Sequence, residues 1–145
     1  MSYFLMLSKS HGEGLLSRYQ TLRQDGRMCD IILEAEGKEF PAHRTLLACS
    51  SDYFWSLFQD HTLESRARIV NLPAVSSTGL ELVLDFIYTS WISLSPCTLE
   101  DTLEASCYLQ VTRALDLCTE YISNKWILTF RLVNQKNLGA GGIVL

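Results

Sequence analysis

The 145 residues suit one domain of ordinary size with a short extension, and 48% hydrophobic residues allow a sizeable core. With charged residues at 19%, the composition excludes intrinsic disorder, which needs low hydrophobicity and high charge. Twelve basic against sixteen acidic residues, a net of -4, argue against nucleic-acid binding, where a basic patch provides most of the affinity, so no nucleic-acid partner is expected.

The chain opens on Met1-Ser2-Tyr3-Phe4-Leu5-Met6-Leu7 and turns polar at Ser8. An apolar run of about five with no preceding cation is too short for a signal-peptide core. No stretch reaches the roughly 18 apolar residues that span a bilayer, and no membrane partner is expected. Residues 11–24 place Leu15, Leu16, Tyr19 and Leu22 at helical spacing, which predicts an amphipathic helix stopped by Asp25-Gly26. Cys29 to Glu36 reads as a strand, with a turn at Gly37-Lys38 and a short second strand, Glu39-Phe40, broken by Pro41. Thr45 to Cys49 is a short buried helix. Asp52 stands where it would cap the next helix, Tyr53 to Phe58, whose near-uniform apolarity predicts a central place.

A polar loop over 59–66 leads to an alternating strand, 68–72, ended by Pro73. Thr78-Gly79-Leu80-Glu81 has capping-box spacing. It opens a helix in which Leu80, Val83, Leu84 and Ile87 recur at i, i+3, i+4 and i+7, widened by Phe86. Trp91 to Ser95 alternates as a short strand closed by Pro96. Thr98 repeats the capping pattern for a helix with Leu99, Leu103, Cys107 and Tyr108 on its stripe. Thr112 opens the last helix, with Ala114, Leu115, Cys118, Tyr121 and Ile122 facing inward. Beyond Ser123, the run from Trp126 to Val133 fits a strand or a helix extension equally, and the glycines at 139–142 read as a frayed end. This order describes a mixed α/β domain in which helices outweigh a small sheet.

Cys29, Cys49, Cys97, Cys107 and Cys118 are spaced by 20, 48, 10 and 11 positions, with no C-x-x-C pair. They are expected to be reduced thiols of a cytoplasmic protein, with the nucleus as the second location. Cys107 and Cys118 have no histidine near them in sequence, so no metal is expected and both read as apolar side chains. Cys49 and His43 lie six residues apart on a helix too short to aim one at the other, which disfavours a nucleophile pair. Phosphate-cradling glycine loops and nucleophile elbows are absent. Glu100-Asp101 suits a helix dipole, and Glu34 with Glu36 a solvated strand face. No catalytic residue, cofactor or small-molecule substrate is expected. Apolar surface in so charge-poor a chain points instead to a protein partner.

Several passages resemble the BTB/POZ domain, most closely its kelch-like branch, over about residues 11–123. They are Leu22-Arg23-Gln24-Asp25-Gly26, Cys29-Asp30-Ile31-Ile32-Leu33, the run from Lys38-Glu39-Phe40-Pro41-Ala42-His43-Arg44 to Ser51-Asp52-Tyr53-Phe54, Asp85-Phe86-Ile87-Tyr88-Thr89, and Ala105-Ser106-Cys107-Tyr108-Leu109-Gln110. The resemblance implies an α+β fold, a small sheet flanked by a cluster of helices with an N-terminal dimerisation helix. It divides the chain into a segment carrying that helix (1–28), the core (29–123) and a divergent tail (124–145) outside the fold. It implies a homodimer built on Leu15, Leu16, Tyr19 and Leu22, with Asp30 and Arg44 matching a charged pair buried near the dimer groove. It further implies a cullin-3 docking face comprising Phe58, His61, Thr62, Leu63, Glu64 and Tyr88, and so the adaptor role in a cullin-3 ubiquitin ligase.

Two departures from the kelch-like pattern bear on function. Kelch-like proteins continue into a helical BACK domain and a substrate-capturing β-propeller, whereas the match here stops near Ser123, so a truncated or alternatively ended form is expected. The family's cullin motif sets an apolar residue two positions before a glutamate; Thr62 stands there before Glu64, which implies weakened docking. A different class, a BTB dimer recruiting corepressors in a transcriptional regulator, is disfavoured by the lack of zinc-finger spacing or a basic segment. A cysteine-dependent enzyme would be marked by a thiol of lowered pKa.

Overall fold

Ile31, Leu33 and Ala35 alternate inward along β1 (Ile31–Ala35) and are buried, while Ile32 and Glu34 between them stay half-exposed. The computed structural model describes residues 1–59 and 66–140. It pairs β1 antiparallel with β2 (Lys38–Ala42) and parallel with β3 (Ile69–Asn71), in the order β2-β1-β3. Leu33 stands opposite Phe40 on one side and Val70 on the other, so one buried residue from each strand meets at mid-sheet. The hairpin turns at Glu36-Gly37, both at positive φ (50° and 75°), as a two-residue type I′ turn requires.

Pro41 lies inside β2 and does not end it. Opposite it, Ile32 directs its own N–H to the Arg68 carbonyl (2.8 Å) beyond the other edge of β1. That pair exchanges no hydrogen bond, so on this edge strand the missing proline N–H is not needed.

Around the sheet, the described residues form α1 (His11–Gln24), α2 (Arg44–Ser50), α3 (Asp52–Leu57), α4 (Ser77–Thr89), α5 (Leu99–Tyr108) and α6 (Thr112–Ala140). α4 is the central helix, burying Leu80, Val83, Leu84, Ile87 and Tyr88 at the spacing its sequence predicts. Its cap is Ser76, not Thr78: the Ser76 hydroxyl accepts from the Gly79 N–H at 3.0 Å. The Glu36 carboxylate takes the Ser77 N–H (2.7 Å) and ties the hairpin turn to the same helix end. Likewise Ser51, not Asp52, caps α3: its hydroxyl accepts from the Phe54 N–H and donates to the Leu109 carbonyl. In both cases the hydroxyl nearer the turn takes the cap because the backbone is still extended there (ψ 155° and 123°).

Three expectations fail on packing. α5 turns Thr102, Ala105 and Ser106 inward; of the expected stripe Leu99 and Leu103 are half-buried while Cys107 and Tyr108 are exposed. A Cβ on Gly79 would stand 2.4 Å from the Asp101 carbonyl and 3.0 Å from the Ala105 Cβ. Backbones that close admit only small side chains, and the buried hydroxyls are satisfied by the Thr98 and Thr102 carbonyls one turn back (2.7 Å each). α3 is not central all round: Phe54 is buried, but Trp55 is exposed. Trp91 to Ser95 is irregular, with the Trp91 N–H taken by the Thr89 hydroxyl (3.1 Å) and no described strand edge beside it.

α6 settles the ambiguous run after Ser123 as helix, continuous to Ala140. Its first turns bury Ala114 and Cys118, with Leu115, Tyr121 and Ile122 half-buried. From Ser123 to Asn137 every side chain is exposed, and residues 141–145 lie outside the described residues.

Candidate interaction surfaces

α1 is held to the domain by one charged anchor. The Arg23 guanidinium pairs with Asp85 of α4 at 2.7 Å and lies over the Tyr88 ring, 4.6 Å from its centroid. Tyr19 turns its ring edge onto His43, 5.4 Å between centroids. No residue of α1 is fully buried: Leu16, Tyr19 and Leu22 are half-covered, and Leu15 is 53% exposed. The expected stripe is therefore split, with Tyr19 serving the domain and Leu15 facing outward. Between α1 and the end of α4 runs a groove of about 470 Å³, lined by Leu16, Ser17 and Gln20 on one side and Ser90 and Trp91 on the other.

Behind α1 sits a closed polar cluster. The Tyr88 hydroxyl accepts from the His43 backbone N–H (2.9 Å) and lies 2.7 Å from His43 Nδ1. His43 Nε2 lies 3.0 Å from the Arg27 carbonyl, which can only accept. In the neutral ring this geometry places the proton on Nε2, so that the Tyr88 O–H donates to Nδ1. Burial pushes the Tyr88 hydroxyl up to about 12. Tyr88 was expected on the docking face, but its side chain is 0% exposed. It is a positioning residue, fixing the start of α2 against the end of α4. α4 is buried on that side by the helices around it, and four-residue spacing from Leu80 and Leu84 brings Tyr88 inward with them.

Asp30 and Arg44 meet through the backbone. The exposed Asp30 carboxylate accepts from the Arg44 N–H (2.8 Å), and Arg44 Nε donates to the Asp30 carbonyl (3.3 Å). His43, the formal cap of α2, makes no side-chain cap bond, so Asp30 supplies it from the neighbouring strand. The pair is not buried in the single chain, because that carboxylate sits at a helix end facing water. The Arg44 guanidinium continues to the Ala67 carbonyl and over the Phe58 ring, 4.9 Å from its centroid. Arg44 thereby touches Phe58 and Ala67, which stand on either side of residues 60–65 in sequence. Phe58 is half-buried, stacked on Phe54 (5.6 Å). His61, Thr62, Leu63 and Glu64 lie outside the described residues.

The cysteines are dispersed. Cys49 is exposed while His43 is buried and engaged elsewhere, so they form no pair. Cys29, not singled out in sequence, places its sulfur 3.7 Å from His43 Nε2. Burial, then the Asp30 charge, raises the Cys29 thiol above its ordinary value, and burial raises Cys118. Both shifts are opposite to what a nucleophilic cysteine needs. Among the described residues no cluster of three or more His, Cys, Asp or Glu side chains forms a metal site. Sequence spacing gave no signal for the Arg23–Asp85 and Cys29–His43 contacts, which join residues 62 and 14 positions apart.

Comparison with known proteins agrees with this architecture. The BTB/POZ domain family pattern matches residues 19–125. Kelch-like protein 34 of Homo sapiens is 61% identical over 125 residues, 86% of this chain and 19% of that protein. Kelch-like protein 13 of Mus musculus is 38% identical over 120 residues, 81% of this chain and 18% of that protein. The chain thus spans about a fifth of the length of these relatives. Among solved structures, the BTB domain of zebrafish PATZ1 superposes with a TM-score of 0.75 at 28% identity, covering 84% of this chain and 99% of that one. Family pattern, relatives and α+β fold converge: the chain belongs to the BTB/POZ domain family, in its kelch-like branch.

Proposed function

We propose that this chain is a homodimeric protein-interaction scaffold that docks cullin-3, the adaptor position in a cullin-3 ubiquitin ligase. BTB domains dimerise and kelch-like proteins bind cullin-3 as a class, which is the coarse ground for the reading. The observation that carries the dimer is α1, an apolar-striped helix with no fully buried residue, anchored through Arg23 so that Leu15 faces out. Covering Leu15, Leu16 and Leu22 at roughly 1.5–3 kcal/mol each supplies a gross gain ample for association. Deleting residues 1–24, or the milder Leu15→Glu on the exposed side, is expected to give monomer by sedimentation. A dimer of unchanged concentration dependence in both variants overturns the assignment.

Docking of cullin-3 is assigned to the surface around Phe58 together with His61, Thr62, Leu63 and Glu64, with Tyr88 holding the end of α4 to His43 from inside. Threonine at the motif's apolar position removes one or two methylene equivalents, about 0.8 kcal/mol each, so affinity falls several-fold to tenfold. Calorimetry on the dimer is expected to show weak binding that strengthens in Thr62→Met. No binding by either form removes the adaptor reading and puts corepressor recruitment by a BTB dimer in its place. The cytoplasm is the proposed site of action, with the nucleus second.

A further inference from the structure

α6 continues well past the domain. Its stretch from 124 to 137, about 20 Å long at the usual helical rise, is covered by none of the described residues. Trp126, Ile127, Leu128, Phe130, Leu132 and Val133 are each at least half-exposed, Trp126 at 73%. At about 100° per residue, Trp126, Phe130 and Val133 share one narrow face and Ile127 widens it, while Leu128 and Leu132 lie behind. Arg131 flanks that face on one side, Lys125 and Lys136 on the other. A shallow apolar depression follows Trp126, Ile127 and Phe130.

The charge on this segment is one-sided. The whole chain is -4, and residues 124–145 hold Lys125, Arg131 and Lys136 with no acidic side chain, so the 123 residues before them carry -7. Pairing with the same helix of a second copy would set three cations against three cations. We propose that this half of α6 lies on anionic phospholipid surfaces, its Trp126–Phe130–Val133 face in the headgroup boundary and its lysines and arginine reaching the phosphates. Aromatic residues favour that boundary, and long cationic side chains can bury their stems while keeping their charges wet. No helix among the described residues is long and apolar enough to cross a membrane, and an interfacial helix does not have to. The expectation of no membrane partner rested on spanning length alone, a criterion that does not address a helix lying in the interface.

The test is flotation of the full chain with phosphatidylcholine vesicles containing about one-fifth phosphatidylserine, against phosphatidylcholine alone. Each cation near an anionic surface contributes roughly five-fold in partitioning, so a preference of tenfold or more for the anionic vesicles is expected, weakening in high salt. Trp126→Glu with Phe130→Glu should lose binding to both vesicles. Lys125→Glu, Arg131→Glu and Lys136→Glu together should lose the preference. All five side chains are exposed in the structure, and unchanged circular dichroism would show that the variants fold. No flotation, equal flotation on both vesicles, or flotation unaffected by the Trp126/Phe130 variant overturns the proposal. Self-association without lipid that the same variant abolishes overturns it too, because a second copy then covers the face.

Discussion

α4 and the far half of α6 are both apolar-rich helices, yet one is the centre of the domain and the other is exposed from Ser123 to Asn137. α4 confines its apolar residues to one stripe, caps its start at Ser76 and brings a glycine to its closest neighbour. The run from Trp126 to Val133 places apolar residues on opposite sides, so no single stripe selects a neighbour within the domain. Apolarity alone does not bury a helix; a periodic stripe facing a shaped partner does.

The sharpest way to break the contrast is at Gly79. Gly79→Val drives a branched side chain into the Asp101 carbonyl, where no flexible group can yield, and is expected to cost about 3 kcal/mol or more. Urea denaturation reads this directly; unchanged stability would mean that α4 and α5 separate freely and that contact does not set the α5 face. Next is Tyr88→Phe, which leaves the buried His43 N–H and Nδ1 without their partner, a loss of about 1–3 kcal/mol in the same assay.

A smaller effect follows from the Tyr88 hydroxyl titrating at about 12 against an ordinary 10. Below pH 10 both folded and unfolded chains hold the proton and the contribution is complete. Above it the unfolded chain releases the proton first, so stability should fall by on the order of 1–2 kcal/mol between pH 10 and 12. The slope should be shallower by that amount in Tyr88→Phe; an identical profile would place the titrating group elsewhere. The smallest effect belongs to the tail. Truncation after Ser123 is expected to move Tm by no more than about 2–4 °C, since every side chain from 124 to 137 is exposed. A drop of ten degrees or more would make the tail a structural element and erase the contrast with α4.

α1, α2, the β1–β2 hairpin, β3, α4 and the first turns of α6 were legible in the sequence because each declares itself locally, by a period of 3.6 or 2 bounded by turn residues. The BTB/POZ likeness was legible for a related reason: short motifs in a fixed order survive in the chain itself. For α3 and α4 chain chemistry also settled the cap to within two residues, though not which side chain takes it, whereas Thr98 at the start of α5 makes no side-chain cap bond and α2 is capped by Asp30 from a neighbouring strand.

Tertiary structure decided the rest. It turned α5 onto its small hydroxyl-bearing side, since the closeness of Gly79 to Asp101 depends on two helices separated in sequence. It buried Tyr88 against His43, and it joined Arg23 to Asp85 across 62 positions. It also left Trp91 to Ser95 without a strand partner and Trp126 to Val133 without a core. A local pattern states what a segment can form, whereas burial depends on which distant surface arrives to cover it.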